Sequence, residues 1–469
     1  MDKMIAKQNL FLFLFLLLIG GCSPFRAQLQ PAELVELPQS YTVAEIDSDT
    51  PDRWWQSFAA DDLDRLVEEA LNDNLSLRQA WARLVQAQSL SRQRKSNQQP
   101  DLNFDAAQSV NRTRSGGNTS DNENYSLSLS SSFELDLWGR IAAEVNSQQK
   151  EEQATREDLH AAAISLAAEV TNSWLQLITQ IQLQQLLAEQ IATAQSYLDL
   201  VDLRFRKAQA TALELLQQKE SIAALQTQLP RNQAQEQLLR NELSVLLGKH
   251  PQQPLNLNSF ELPQMQSLPQ LGLPAELLEQ RPDIRAAGLR LQAADWDLTI
   301  AKADRLPTLK LTASITTSGD FGDLFDNWLL NLANNLTAPL LDGGARSAEV
   351  ERQQAIISER LANYQLTVLT AIREVEDALI SEQKLQEEMT ALQRQLDLAE
   401  QALSTAKNRY LKGLISYLPV LTELQNVEQL QQDLLNQKLD LLTNRVVLHR
   451  VLGGNWTEQL PVQQLEVQL

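Results

Sequence analysis

Along residues 357–410 apolar side chains recur in alternating steps of four and three. Fifteen of the sixteen positions of that seam, from Ile357 to Tyr410, are apolar, and only Glu382 interrupts it. A 3.5-residue period held this long predicts a long helix with a left-handed supercoil. The same frame moved back by 205 residues runs from Leu159 through Ala163, Leu166, Val170, Leu177 and Leu187 to Phe205, with Ser173, Gln180 and Gln184 as exceptions. From Gly139 to Ala208 is about 70 residues, or roughly 105 Å of helix at 1.5 Å per residue. Shorter helical segments are expected near 61–98 and 210–247, about 38 residues and roughly 57 Å each, so two short helices end to end match one long one. Pro230 lies inside the second and should kink it or start a new turn.

Between the helices the period changes to two. Tyr125, Leu127, Leu129, Ser131, Phe133 and Leu135 share one face, against Ser126, Ser128, Ser130, Ser132, Glu134 and Asp136 on the other. Leu102, Phe104, Ala106 and Val110 alternate in the same way, as do Leu309, Leu311, Ala313 and Ile315. A fourth run, 328–340, is less clean, with Leu329 on its polar face and Asn334 on its apolar one. Strands of about 10 residues, apolar on one face and polar on the other, suit either a membrane β-barrel or a half-buried sheet in a soluble sandwich. Four strands cannot close a barrel, since the smallest have about eight. A membrane reading therefore requires several copies, and three give twelve strands.

The chain repeats itself. "RFRKAQATALELL" (204–216) answers "RYLKGLISYLPVL" (409–421) at an offset of 205, and "SLRQAWARL" (76–84) answers "DIRAAGLRL" (283–291) at 207. Solenoid repeats are far shorter, so a domain has been duplicated.

The first residues change the picture. Lys3 and Lys7 precede ten apolar residues, Leu10–Ile19, which is too short to remain as a membrane span and matches a secretory signal. Ile19-Gly20-Gly21-Cys22 looks like a bacterial lipobox, whose cysteine becomes the lipidated first residue, and Ser23 in place of Asp points to the outer membrane. Cys22 is the only cysteine, which excludes a disulfide framework. Cleavage before it removes two lysines and one aspartate, so the charge moves from −20 to −21. Such acidity argues against nucleic acid as a partner. His160, His250 and His449 are scattered, and no phosphate loop or nucleophile motif appears, so no enzyme chemistry and no cofactor are expected. Glu374-Val375-Glu376-Asp377 reads as a solvated helix face.

The motifs "LDLWGR" (135–140), "LPAELLEQRPDIRAAGLRLQAA" (273–294), "LTAPLLDGGARS" (336–347), "VLTAIREVEDAL" (368–379) and "RYLKGLISYLPVL" together resemble the TolC-type outer-membrane efflux factors, in their lipoprotein branch serving RND-type systems. The resemblance runs from about Trp54 to Leu452. It implies an α+β membrane protein: a trimeric, twelve-stranded transmembrane barrel, four strands per chain, continued by a long coiled-coil tunnel through the periplasm. A mixed equatorial domain would come from residues near 250–275 and the two termini. The implied partners are a homotrimer, a periplasmic adaptor (membrane fusion protein), an inner-membrane RND-type pump and outer-membrane lipid.

On this reading the chain divides into a signal peptide (1–21), a lipidated segment (22–60), a first repeat (61–250), a linker or equatorial segment (251–274), a second repeat (275–455) and a tail (456–469). Strands are expected near 102–111, 125–136, 308–317 and 328–340. The resemblance places a gate contact between an acidic residue and a tyrosine on Glu214 and Tyr410. It places the adaptor-docking tips at Lys207, Ala208 and Thr211 and at Lys412, Gly413 and Ser416. Gly413 can take the left-handed conformation of a tight turn. Two acidic residues that ring the family's best-known entrance align here with Pro419 and Thr422. The alternatives are the duct of a type I protein-secretion system and a pore-less periplasmic spacer; the alternating strands count against the spacer.

Overall fold

A computed structural model describes Tyr41 and residues 53–264, 268 and 274–460. The signal segment, Cys22 and the tail beyond 460 lie outside the described residues. In chain order the elements are α1 (Asp61–Asp73), α2 (Leu75–Ser96), β1 (Asp101–Ser115), β2 (Asn118–Leu135), α3 (Arg140–Arg206) and α4 (Ala212–Leu246). There follow α5 (Leu277–Gln280), α6 (Pro282–Ala303), β3 (Thr308–Gly319), β4 (Trp328–Thr337), α7 (Ala345–Leu411) and α8 (Leu418–Leu452). The long helices α3 and α7 each have 67 residues, and α4 and α8 each have 35.

The chain forms two compact units. The described part of the first is residues 83–156 and 285–367, and it holds the sheet. All four strands pair antiparallel in the order β1-β2-β3-β4. The register lines up the expected faces without a slip: Phe104 pairs with Leu129, Leu129 with Ile315, and Ile315 with Leu330. On the other face Ser128 lies opposite Thr316, their hydroxyls 3.1 Å apart. Phe104, Leu332 and Leu336 are about two-thirds exposed, so among the described residues nothing covers that part of the apolar face.

The first hairpin is longer than its pattern suggests. Its strands continue past 111 to a tight turn at Gly116-Gly117, through a polar run with no apolar alternation to announce it. There Arg112 grips Asp121 through two 2.7 Å hydrogen bonds directly across the ladder. The fourth strand ends at Thr337, short of the expected 340, because Pro339 cannot donate to a ladder. At the base, Asp136 accepts from the backbone of Ile141 and Ala142, capping α3 where it leaves β2.

The second unit contains the described residues of 36–82, 157–284 and 368–469. Each interruption of the apolar seam proves to be a polar cross-link from a long helix to a short one. Glu382 is buried, 2.5 Å from Arg445 and 2.9 Å from Asn444 Nδ2. In the first copy Ser173 donates to Glu242 at 3.2 Å, and Gln180 and Gln184 both reach the Asn232 carbonyl. The α4 helix continues through Pro230.

The expected helix over 61–98 is instead broken at Asn74. Its side chain accepts from Leu77 N, capping α2, and donates to the Leu246 carbonyl. In the second copy the break falls at Arg281, 207 residues on, where Pro282 opens α6. Gly248 and Gly453, 205 apart, both take left-handed φ. A Cβ at Gly248 would lie 2.4 Å from the Asp73 carbonyl oxygen, and one at Gly453 2.6 Å from that of Gln280. Both breaks are thus places where another chain segment approaches too closely for any side chain.

Residues 251–264 carry no helix, and 256–260 are tied down. Asp62 accepts from the backbone of Asn258 and Ser259, and Gln182 donates to the Phe260 carbonyl. Nearby Trp54 stacks on His449 and Trp55 meets Trp456 edge-on. Among the described residues no helix is long and apolar enough to cross a membrane, and no cluster of His, Cys, Asp and Glu could hold a metal.

Candidate gate at the helical turns

The two helix-to-helix turns are built alike. After α3, Gln209 N bonds the Arg204 carbonyl (2.8 Å) and Ala208 N that of Phe205 (2.9 Å). After α7, Leu414 N bonds Arg409 O (3.0 Å) and Gly413 N bonds Tyr410 O (2.9 Å). This is the Schellman closure, and it needs a left-handed residue. Gly413 supplies it at φ 71°; Ala208 supplies it at 55° despite its Cβ. All six expected tip residues, Lys207, Ala208, Thr211, Lys412, Gly413 and Ser416, are exposed. Around them Leu213, Leu216 and Leu414 are each more than 60% exposed. These leucines lie beyond the ends of the apolar seam, at Phe205 and Tyr410, where the period no longer says which side is buried.

Glu214 is a double cap. It forms a capping box with Thr211, accepting from Thr211 N at 2.8 Å while Thr211 Oγ1 accepts from Glu214 N. Its other oxygen accepts from Tyr417 N at 3.1 Å, so one carboxylate serves the N-termini of both α4 and α8. Tyr417 then donates its hydroxyl to Gln218 Oε1 at 2.6 Å, and Gln218 donates to the Ala194 carbonyl at 2.7 Å. This chain of bonds links α8, α4 and α3.

The Tyr410 ring lies 5.3 Å from that of Tyr417, and the Arg204 guanidinium sits 4.4 Å over it. Among the described residues the buried Tyr410 hydroxyl makes no hydrogen bond of good geometry, and Arg204 is the donor group beside it. Glu214 and Tyr410 are thus neighbours that do not bond to each other: the carboxylate goes to Tyr417, a residue that sequence reasoning passed over. Burial first, and then the Glu214 charge, push the Tyr410 hydroxyl above its ordinary pKa. Pro419 and Thr422 put no carboxylate at the aligned entrance positions; Thr422 spends its hydroxyl on the Leu418 carbonyl.

The profile of the family described as outer membrane efflux protein matches this chain twice, over residues 66–249 and 273–454. The chain belongs to the outer membrane efflux protein family. Among relatives of this efflux family, the pyoverdine export outer membrane protein OpmQ of Pseudomonas aeruginosa is 32% identical, over 96% of this chain and 98% of its own. The cation efflux system protein CusC of Escherichia coli is 28% identical over 94% of this chain and 98% of its own. A solved CusC structure superposes with a TM-score of 0.84 at 26% identity, covering 92% of this chain and all of that one. As a member of the outer membrane efflux protein family, the chain is an outer-membrane efflux channel protein, mostly helical with a small antiparallel sheet.

Proposed function

We propose that three copies close a twelve-stranded barrel in the outer membrane and a helical tunnel in the periplasm. The assembly is the passive exit duct of a tripartite system: an inner-membrane RND-type pump supplies energy, and a periplasmic adaptor docks on the turns after α3 and α7. The observation that carries this reading is the sheet. Among the described residues its apolar face is uncovered, and β1 and β4 each leave an edge unpaired. Hydrocarbon cannot satisfy such edges, so they must meet those of other copies. Mass measurement in detergent should give a trimer, and a folded monomer would overturn the barrel.

The double family match supports a division into repeats at 61–250 and 275–455. The cargo is chosen upstream of a duct, as the different cargoes in the names of OpmQ and CusC suggest. Cys22 is taken as a lipid anchor that assists the barrel, since a single acyl chain binds membranes only modestly. Metabolic labelling with a palmitate analogue should mark the wild type and not Cys22→Ser; label on the serine variant refutes the lipobox. Glu214, Tyr410 and Tyr417 are read as the gate that holds the tunnel end shut.

A further inference from the structure

Beside the tyrosine cluster, α3, α7 and α8 line a half-open cavity of about 400 Å³ within the second unit. Leu186, Leu403, Leu424 and Val427 contribute apolar wall, and the Tyr197 ring contributes aromatic surface. From α8, Glu428 lines this cavity while only 6% exposed, and among the described residues its Oε1 has no hydrogen-bond partner. Its main-chain carbonyl is held by Gln190 Nε2 at 2.9 Å, which fixes the backbone and leaves the carboxyl unclaimed.

A buried carboxyl without a partner is costly when ionised and is normally found only where something requires it. Here burial pushes Glu428 up to about 7. The other charged groups facing the cavity are Glu189 on α3 and Glu400 and Lys407 on α7. The Lys407 ammonium lies 5.2 Å from the centre of the Tyr197 ring rather than on Glu428. Tyr197 and Tyr417, the nearest phenols, feel the Glu428 charge and are themselves raised, chiefly by burial. Three acids against one base make the cavity a cation's environment, and its size and walls suit a ligand with an apolar body.

We propose that this cavity is a binding site for a small organic cation, an amine or amidine on an apolar body, with Glu428 as counter-ion and Tyr197 as the ring it packs against. Binding would replace the proton on Glu428 with the ligand's charge, so the proton leaves to buffer as the ion pair forms. Because the walls come from α3, α7 and α8, an occupant touches all three helices at once.

Benzamidine is a suitable probe and benzamide its neutral isostere. Calorimetry on the purified full-length protein in detergent, at about pH 6, should show saturable benzamidine binding. Repeating it in two buffers of different ionisation enthalpy should reveal release of most of one proton. Benzamide should bind at least about tenfold more weakly. Glu428→Gln should weaken benzamidine by at least about tenfold, remove the proton release and leave benzamide unchanged. Absence of saturable benzamidine binding, equal binding of the two probes, or binding without proton release overturns the site. The last two comparisons use wild-type protein only, so the test survives a Glu428→Gln variant that misfolds. None of these readouts depends on conduction, so failure here leaves the duct reading untouched.

Discussion

Ala208 holds a conformation for which Gly413 is the better residue. A Cβ in the left-handed region costs about 1–2 kcal/mol, and nothing lies within 4 Å of a Cβ built on Gly413 to add a clash. Ala208→Gly should therefore stabilise its turn by about 1 kcal/mol, and Gly413→Ala should destabilise the other by a similar amount. Unfolding midpoints in detergent read both. Two buried titratable groups give the second unit opposing pH slopes. Glu428 is raised from 4.5 to about 7, so its contribution is present below pH 4.5 and is lost as pH rises through 7. His449, buried against Trp54 and near Arg445, is lowered from 6.5 to about 3, so its contribution is present above pH 6.5 and fades as pH falls toward 3. Glu428→Gln should remove the fall in stability between about pH 4.5 and 7, and His449→Phe the rise between about pH 3 and 6.5. An unchanged profile in either variant means that group is not held as described.

At the scale of elements, the duplicated breaks carry the sharpest expectation. Gly248→Ala and Gly453→Ala each drive a methyl into a backbone carbonyl at 2.4 and 2.6 Å. Each should lower stability by about 2–3 kcal/mol in denaturant melts. The Glu382–Arg445 pair tests the seam. Removing either charge alone should cost about 3–5 kcal/mol, whereas Glu382→Leu with Arg445→Leu should come close to wild type. Much of this architecture is legible from the chain, because periods of 3.5 and 2 report which faces are apolar. Glu382 could be flagged as an interruption, but its partner lies 63 residues away and no local pattern names it. The hairpin beyond residue 111 and the break at Asn74 were illegible for a related reason. The first is uniformly polar and the second rests on one side chain, so neither disturbs a hydrophobic period. At the gate the alignment reached Glu214 and Tyr410, yet the carboxylate's bond to Tyr417 N is a matter of turn geometry.

For the whole molecule, the proposed gate would decide what the channel does at rest. The clasp runs from Glu214 to Tyr417 N and from the Tyr417 hydroxyl through Gln218 to α3. Glu214→Ala with Tyr417→Phe cuts both links, which as charge-assisted and neutral hydrogen bonds are worth roughly 1.5–3 and 0.5–1.5 kcal/mol. Three copies would multiply the bias toward opening. Planar bilayers should show larger single-channel conductance, and cells should admit large antibiotics without a pump. Tyr410→Phe alone should change conductance little, because among the described residues that hydroxyl makes no hydrogen bond of good geometry. A double variant as tight as wild type, at equal expression, moves the gate elsewhere.

The first hairpin overshoots the second. Gly319, the last residue of β3, pairs with Tyr125, so residues 118–124 are bonded to β1 alone. Among the described residues, this two-stranded ribbon of polar residues closed by Gly116-Gly117 has no third strand beside 118–124. Its sequence is therefore free to drift: foreign peptides spliced between the two glycines should be displayed without disturbing the ladder below. If the proposed barrel places this ribbon outside the cell, an epitope tag inserted there should be labelled by antibody on intact cells.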